Sequence, residues 1–327
     1  MAYLLYAGIK DLFIVNEKIW CRTSISGVWK YSNGEIRDLT VMIMAGIHPE
    51  EEGGVLCLER MMQDSQWLAT YKNISVIAVP CRNLFGFQIK QCFENSVFTD
   101  RKLFFENEYC KIYTYREEYL IVLKTAMATK TDRKHFWSLL KNSLKEAKIN
   151  GFVHLISFRQ STELRANTYY FSEERLIDMN DIGQYPQVPY ICNVQKLVQL
   201  YQPDMVIDLH EGKGKETYLY VDSENKCAVA GGEHIVTCLK KMGIPIRTNA
   251  NDRVKIDDGI YSLRQLNSGK RWIELVNPGK ILVLEAGIEN EIKKRINILR
   301  VGIEQSIAYE WGRINGKTCN NTFDKNM

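Results

Sequence analysis

The sequence predicts an α/β fold built on a mixed, largely parallel sheet, and three observations lead there. Short uninterrupted apolar runs recur along the chain, and segments with apolar residues at helical spacing lie between them. The composition also supports a large core, with 45% of the 327 residues apolar, 25% charged and 11% aromatic, which excludes disorder and low complexity. Lysine and arginine total 43 against 39 acidic residues, a net charge of +4, without the concentrated basic footprint of a nucleic-acid binder. No run approaches the roughly 18 apolar residues that span a bilayer. The expectation is a protein that engages neither nucleic acid nor membrane. Nine cysteines are scattered with no CxxC pair, a usage that suits reduced thiols in the cytoplasm.

Taken in order, the opening stretch MAYLLYAGIKDLFIV reads as a strand interrupted at Lys10 and Asp11, within an N-terminal extension at about 1–36. Residues 39–47, 74–79, 152–157, 205–209 and 281–284 read as central strands, because continuous rather than alternating apolar runs mark strands covered on both faces. Residues 55–71, with Val55, Leu58, Met62 and Ala69 on one stripe, read as a helix, as do 134–147, 194–201 and 288–311. Residues 91–131 are less regular and rich in aromatic and charged groups, so a subdomain or flap inserted at about 88–131 of a single domain is expected. His154 reads as a core histidine, His135 as a helix-surface one and His234 as part of a turn.

In an open α/β sheet ligands bind at the carboxyl ends of the strands. Three such exits carry chemistry: His48-Pro49-Glu50-Glu51, Leu209-His210-Glu211-Gly212 and Glu285-Ala286-Gly287. A catalytic zinc site uses three nitrogen or oxygen ligands and leaves a fourth position to water. His48, Glu51 and His210 supply such a set, with Glu285 left over as a base. Two ordinary alternatives stand beside it. Pro49 followed by three glutamates is a good helix start, with acids at the positive end of the dipole, and a strand-end histidine such as His210 is commonly just hydrogen-bonded.

Together the segments AGIHPEE, VPCRNLFGF, VIDLHEG and LVLEAG resemble, in order, the signature stretches of the zinc carboxypeptidase family, including its succinylglutamate desuccinylase and aspartoacylase branch. The resemblance implies a three-layer α/β/α sandwich and one zinc per chain on His48, Glu51 and His210. It also implies hydrolysis of an amide bond in a peptide or N-acyl amino acid by zinc-activated water, with Glu285 as general base and then acid. Asn83 matches the asparagine of the family's P-x-x-N stretch. Where the family holds a terminal carboxylate with D-x-N-R, this chain reads Asp178-Met179-Asn180-Asp181. Asn180 matches, Asp181 replaces the arginine, and Arg165 or Arg159 lies upstream as a second cation. Tyr261 falls near the family's substrate-touching tyrosine. The acid at 181 and the insertion predict a narrowed specificity. The alternative is a carboxypeptidase-like scaffold or binding protein without turnover.

Overall fold

The computed structural model describes residues 16, 19–23, 27–33, 37–94, 101–115, 118–124, 133–159, 163–172, 175–179, 189–249, 253–277 and 279–316. The strand expected at the N-terminus, and Asn180 and Asp181, lie outside them. The strands along the chain are β1 (Cys21–Arg22), β2 (Trp29–Ser32), β3 (Leu39–Met44), β4 (Ile74–Val79), β5 (Lys102–Glu106), β6 (Cys110–Tyr115), β7 (Glu118–Leu123) and β8 (Gly151–Arg159). They continue as β9 (Glu163–Ser172), β10 (Arg175–Asp178), β11 (Met205–Gly212), β12 (Tyr218–Val221), β13 (Lys255–Asp257), β14 (Ile260–Ser262) and β15 (Lys280–Gly287). The helices are α1 (Glu52–Gln63), α2 (Leu84–Glu94), α3 (Arg133–Glu146), α4 (Pro189–Tyr201), α5 (Lys226–Lys241), α6 (Asn267–Val276) and α7 (Ile292–Ile314).

The chain divides into two compact units, one from 1–45, 51–82 and 193–327, the other from 46–50 and 83–192. In the first, nine strands form a mixed sheet in the order β1-β2-β4-β3-β11-β15-β12-β14-β13. Its centre, β4, β3, β11 and β15, is parallel, and the flanking pairs β1/β2, β2/β4, β12/β15 and β13/β14 are antiparallel. The parallel strands are the ones that read as continuous apolar runs, and Leu39, Val41, Val206, Ile207 and Leu284 are all fully buried. Burial on both faces is what such a run specifies.

In the second unit six strands follow the order β10-β9-β8-β7-β6-β5, antiparallel except for β7/β8. Ile112, Ile121, Leu140, Leu144, Val153 and Phe171 form its core. Two expectations change here. The run 152–157 is β8 of this sheet and does not join the parallel centre, and the irregular stretch after residue 100 supplies the meander β5–β7. An apolar run reports burial, not which sheet buries it. Helix α1 also ends earlier than its stripe suggested. At Asp64 the side chain accepts a bond from the Gln66 amide at 3.4 Å, and the chain tightens into a 3-10 turn at Ser65–Leu68. Short acidic side chains compete for backbone donors in this way and stop helices.

Candidate metal centre

Strand β3 hands over to the segment carrying His48, and Asn83 holds that segment. The Asn83 amide donates to the Gly46 carbonyl at 2.9 Å, its Nδ2 to the Ile47 carbonyl at 3.1 Å, and its Oδ1 accepts from the Gly86 amide at 3.0 Å. A buried asparagine can satisfy backbone groups on two segments at once, and this one fixes the loop in front of His48. His48 is half-buried, with Nε2 3.9 Å from Asp178 Oδ1.

Glu51 occupies the residue before α1, yet its carboxylate makes no capping bond to the helix. It is buried and turned to His210, with Oε2 3.0 Å from Nδ1. The helix start and the cluster are therefore both built from HPEEE: Glu52 begins the helix, and Glu51 faces inward. His210 lies on β11 between β3 and β15 and is 4% exposed. Its Nε2 is 3.4 Å from Asp208 Oδ2, which also accepts from Arg82 Nη1 at 2.7 Å. The Arg82 guanidinium lies over the Trp272 ring, 5.6 Å from its centroid. A continuous chain of charges thus runs Arg82, Asp208, His210, Glu51.

Burial alone would raise Asp208, but Arg82 and His210 outweigh it and hold the carboxyl below its usual range. Burial would likewise lower His210, but the Asp208 and Glu51 charges outweigh it and hold the imidazole well above its ordinary value. Ligand atoms of His48, Glu51 and His210 lie within 4.8 Å of one another. Around one tetrahedral zinc with bonds of about 2.0–2.2 Å, donors stand about 3.3–3.6 Å apart, so side-chain movements of roughly 1 Å would bring this set onto one ion. The donor types, two imidazoles and a carboxylate, fit zinc.

Glu285 on β15 is half-buried and pairs in register with His210 of β11 on one side and Tyr218 of β12 on the other. Register partners put their side chains on the same face of a sheet, so the carboxylate and the imidazole share a face. Tyr218 and Tyr220 are raised first by burial and then by the Glu285 charge. Glu211 is buried and pairs with Arg295 Nη1 at 2.7 Å. Burial pushes its carboxyl up to about 7 against the pull of that arginine. A Cβ at Gly53 would overlap the Glu211 carboxylate, and one at Gly212 would overlap the Tyr218 ring, so both glycines are there for close approach.

The remaining expected site residues fall as follows. Tyr261 is fully buried on β14 and its hydroxyl donates to the Asn249 carbonyl at 2.8 Å. Arg159 and Arg165 lie on β8 and β9, where Arg165 pairs with Ser157 and Arg159 with Glu163; only their backbone is described. His154 is a satisfied core histidine, bonded to Thr168 Oγ1 at 2.9 Å and to Glu118. His234 sits inside α5, not in a turn, and contacts Gln305 Oε1 at 3.0 Å. Pattern reading missed Arg82, Asp208 and Glu211. Asp208 was within reach, since residues two apart on a strand share a face.

No protein-family model matches the sequence, and neither does any curated protein. Solved structures similar to it include a candidate metallopeptidase from Shewanella denitrificans, at 13% identity and a TM-score of 0.46 over 88% of this chain and 81% of that one. A metallo-carboxypeptidase from Pseudomonas aeruginosa in complex with (2-guanidinoethylmercapto)succinic acid aligns at 12% identity, with a TM-score of 0.46 over 87% and 60% of the two chains. Product-bound cell shape determinant protein Csd4 from Helicobacter pylori aligns at 12% identity, with a TM-score of 0.41 over 91% and 57%.

Proposed function

We propose that this chain is a zinc-dependent amide-bond hydrolase of the carboxypeptidase or N-acyl amino acid deacylase type, holding one zinc per chain on His48, Glu51 and His210. The observation that carries the reading is that ligand atoms of these three residues lie within 4.8 Å of one another, with Glu285 in register beside His210. Bound there, zinc supplies Lewis acidity, lowering the pKa of water towards neutrality and polarising a carbonyl.

The protein's own groups do the rest. Asp208 faces Nε2 of His210 and favours the tautomer with its hydrogen there, which leaves Nδ1, the nitrogen facing Glu51, as the donor. Asn83 fixes the segment bearing His48. Glu285 takes a proton from the attacking water and delivers it to the leaving nitrogen. For the substrate side we assign Arg165, then Arg159, to the developing oxyanion, with Asn180 as a further contact; Asn83 and Tyr261, both buried and bonded to backbone groups, support the site and do not touch the substrate. Peptides, cell-wall peptides and N-acyl amino acids are the substrate classes, and the scattered cysteines suit a cytoplasmic setting. Among the described residues no helix is long and apolar enough to cross a membrane.

The test is hydrolysis of a library of dipeptides and N-acyl amino acids by the purified chain. Cleavage abolished by a chelator and restored by zinc supports the reading. A zinc-loaded chain that cleaves no amide contradicts it.

A further inference from the structure

Beyond Glu285 the same sheet face continues onto aromatic ground. Tyr218 and Tyr220 lie on β12, and Tyr261 on β14 pairs in register with Tyr220. The three rings contact one another, with centroids 5.8 to 6.0 Å apart, and all three are buried. Two guanidinium groups lie over them. Arg247 Cζ is 3.9 Å from the Tyr218 centroid. Arg253 Cζ is 4.6 Å from Tyr218, 5.2 Å from Tyr220 and 6.0 Å from Tyr261.

The two cations differ in what they have left to offer. Arg247 is engaged, donating to the Lys213 carbonyl and lying 3.6 Å from Glu216 Oε2. Arg253 is half-buried and is hydrogen-bonded to the Tyr218 hydroxyl within reach of the Glu285 charge, but its Nη1 is buried with no hydrogen-bond acceptor among the described residues. Ring faces attract a guanidinium but leave its in-plane N–H donors unused, and a buried donor without an acceptor is costly until something accepts from it. The planar fork of arginine matches a carboxylate. Tyr218, under both cations, is also the register partner of Glu285, so a group held at Arg253 would lie alongside the proposed reaction centre.

We propose that Arg253, backed by Arg247 and the Tyr218–Tyr220–Tyr261 cluster, is the specificity-determining cation of this site and takes a carboxylate of the substrate. The chain then prefers amides that carry an acidic group. That group is either the terminal carboxylate or an acidic side chain. The proposal rests on the hydrolase reading for the word substrate, but its test does not need turnover.

Four probes with a sulfonamide in place of the N-acyl amide separate the sources: N-methanesulfonyl-glutamate, the corresponding glutamine with only the terminal carboxylate, the isoglutamine with only the side-chain carboxylate, and the glutamine amide with neither. Their binding to the full chain is measured by calorimetry, at matched metal content, for wild type, R253M and R253K. Wild type is expected to bind the diacid and one of the two monoacids at least about tenfold more tightly than the diamide, and R253M to bring all four within about twofold. Whichever monoacid keeps the advantage identifies the source. If R253M does not fold, R253K carries the test, because an ammonium keeps the charge without the fork and should reduce the preference about threefold. Equal binding of all four by wild type, or a preference unchanged in the arginine variants, overturns the proposal. A preference lost in R253M by a chain that cleaves no amide leaves the carboxylate site standing and sinks the hydrolase reading. Cleavage without any preference does the reverse.

Discussion

His210 stands between two acids, and Asp208 stands between His210 and a fully buried arginine. Removing the middle charge therefore has two consequences. Asp208→Asn leaves the Arg82 guanidinium buried without its counter-charge, and breaking a buried pair costs about 3–5 kcal/mol, measurable by denaturant unfolding of the metal-free chain. The same variant loosens the orientation of His210, so zinc affinity should fall about 10–100-fold. An unchanged unfolding midpoint would show that Arg82 finds another partner. Glu285→Gln separates base from ligand. It keeps shape, and turnover should fall at least about 100-fold with zinc content unchanged; near-normal rates would remove Glu285 from the chemistry. Of these residues, His48, Glu51, His210 and Glu285 were legible because each follows an apolar run. Arg82 was not, because its partner is 126 residues away in sequence and nothing in VPCRNLFGF marks its arginine as buried.

At the scale of elements, β15 and α7 are tied by charge away from the site. Glu310 on α7 is 2% exposed, accepts from Arg313 Nη2 at 2.6 Å and is bonded to Lys280 at the start of β15. Burial would raise its carboxyl, but these two cations outweigh that and hold it below the ordinary value of 4.5. A depressed acid stabilises the fold above its unfolded value, and that contribution is lost as pH falls through the folded value. Glu310→Gln should therefore cost about 1.5–3 kcal/mol at pH 7, and the deficit against wild type should shrink as both are acidified below about pH 4.5. A deficit independent of pH would assign the loss to packing. The central strands were readable because burial on both faces leaves an uninterrupted apolar run. Strand β8 satisfies the same rule inside a different sheet, and His234, among small residues that suggest a turn, sits in a helix capped by Asn225.

Across the whole molecule, each unit is drawn from separated stretches of chain, so no continuous segment carries either one. The α/β class was legible because strand and helix periods alternate. The second sheet was not, because β5, β6 and β7 mix aromatic and charged residues in a meander with one face only partly covered. The candidate centre was legible for a different reason. Its donor groups come from strand exits, where chain direction and ligand chemistry coincide whatever the sheet order. We propose above all that His48, Glu51 and His210 hold one ion. The most direct measurement is zinc per chain, by elemental analysis of protein purified without chelator and dialysed, for wild type, His48→Ala and His210→Ala. The expected result is about one zinc in wild type, as for a three-ligand site, and little in either variant, with far-ultraviolet circular dichroism preserved. A wild-type chain without zinc, or variants that retain it in full, would contradict the assignment.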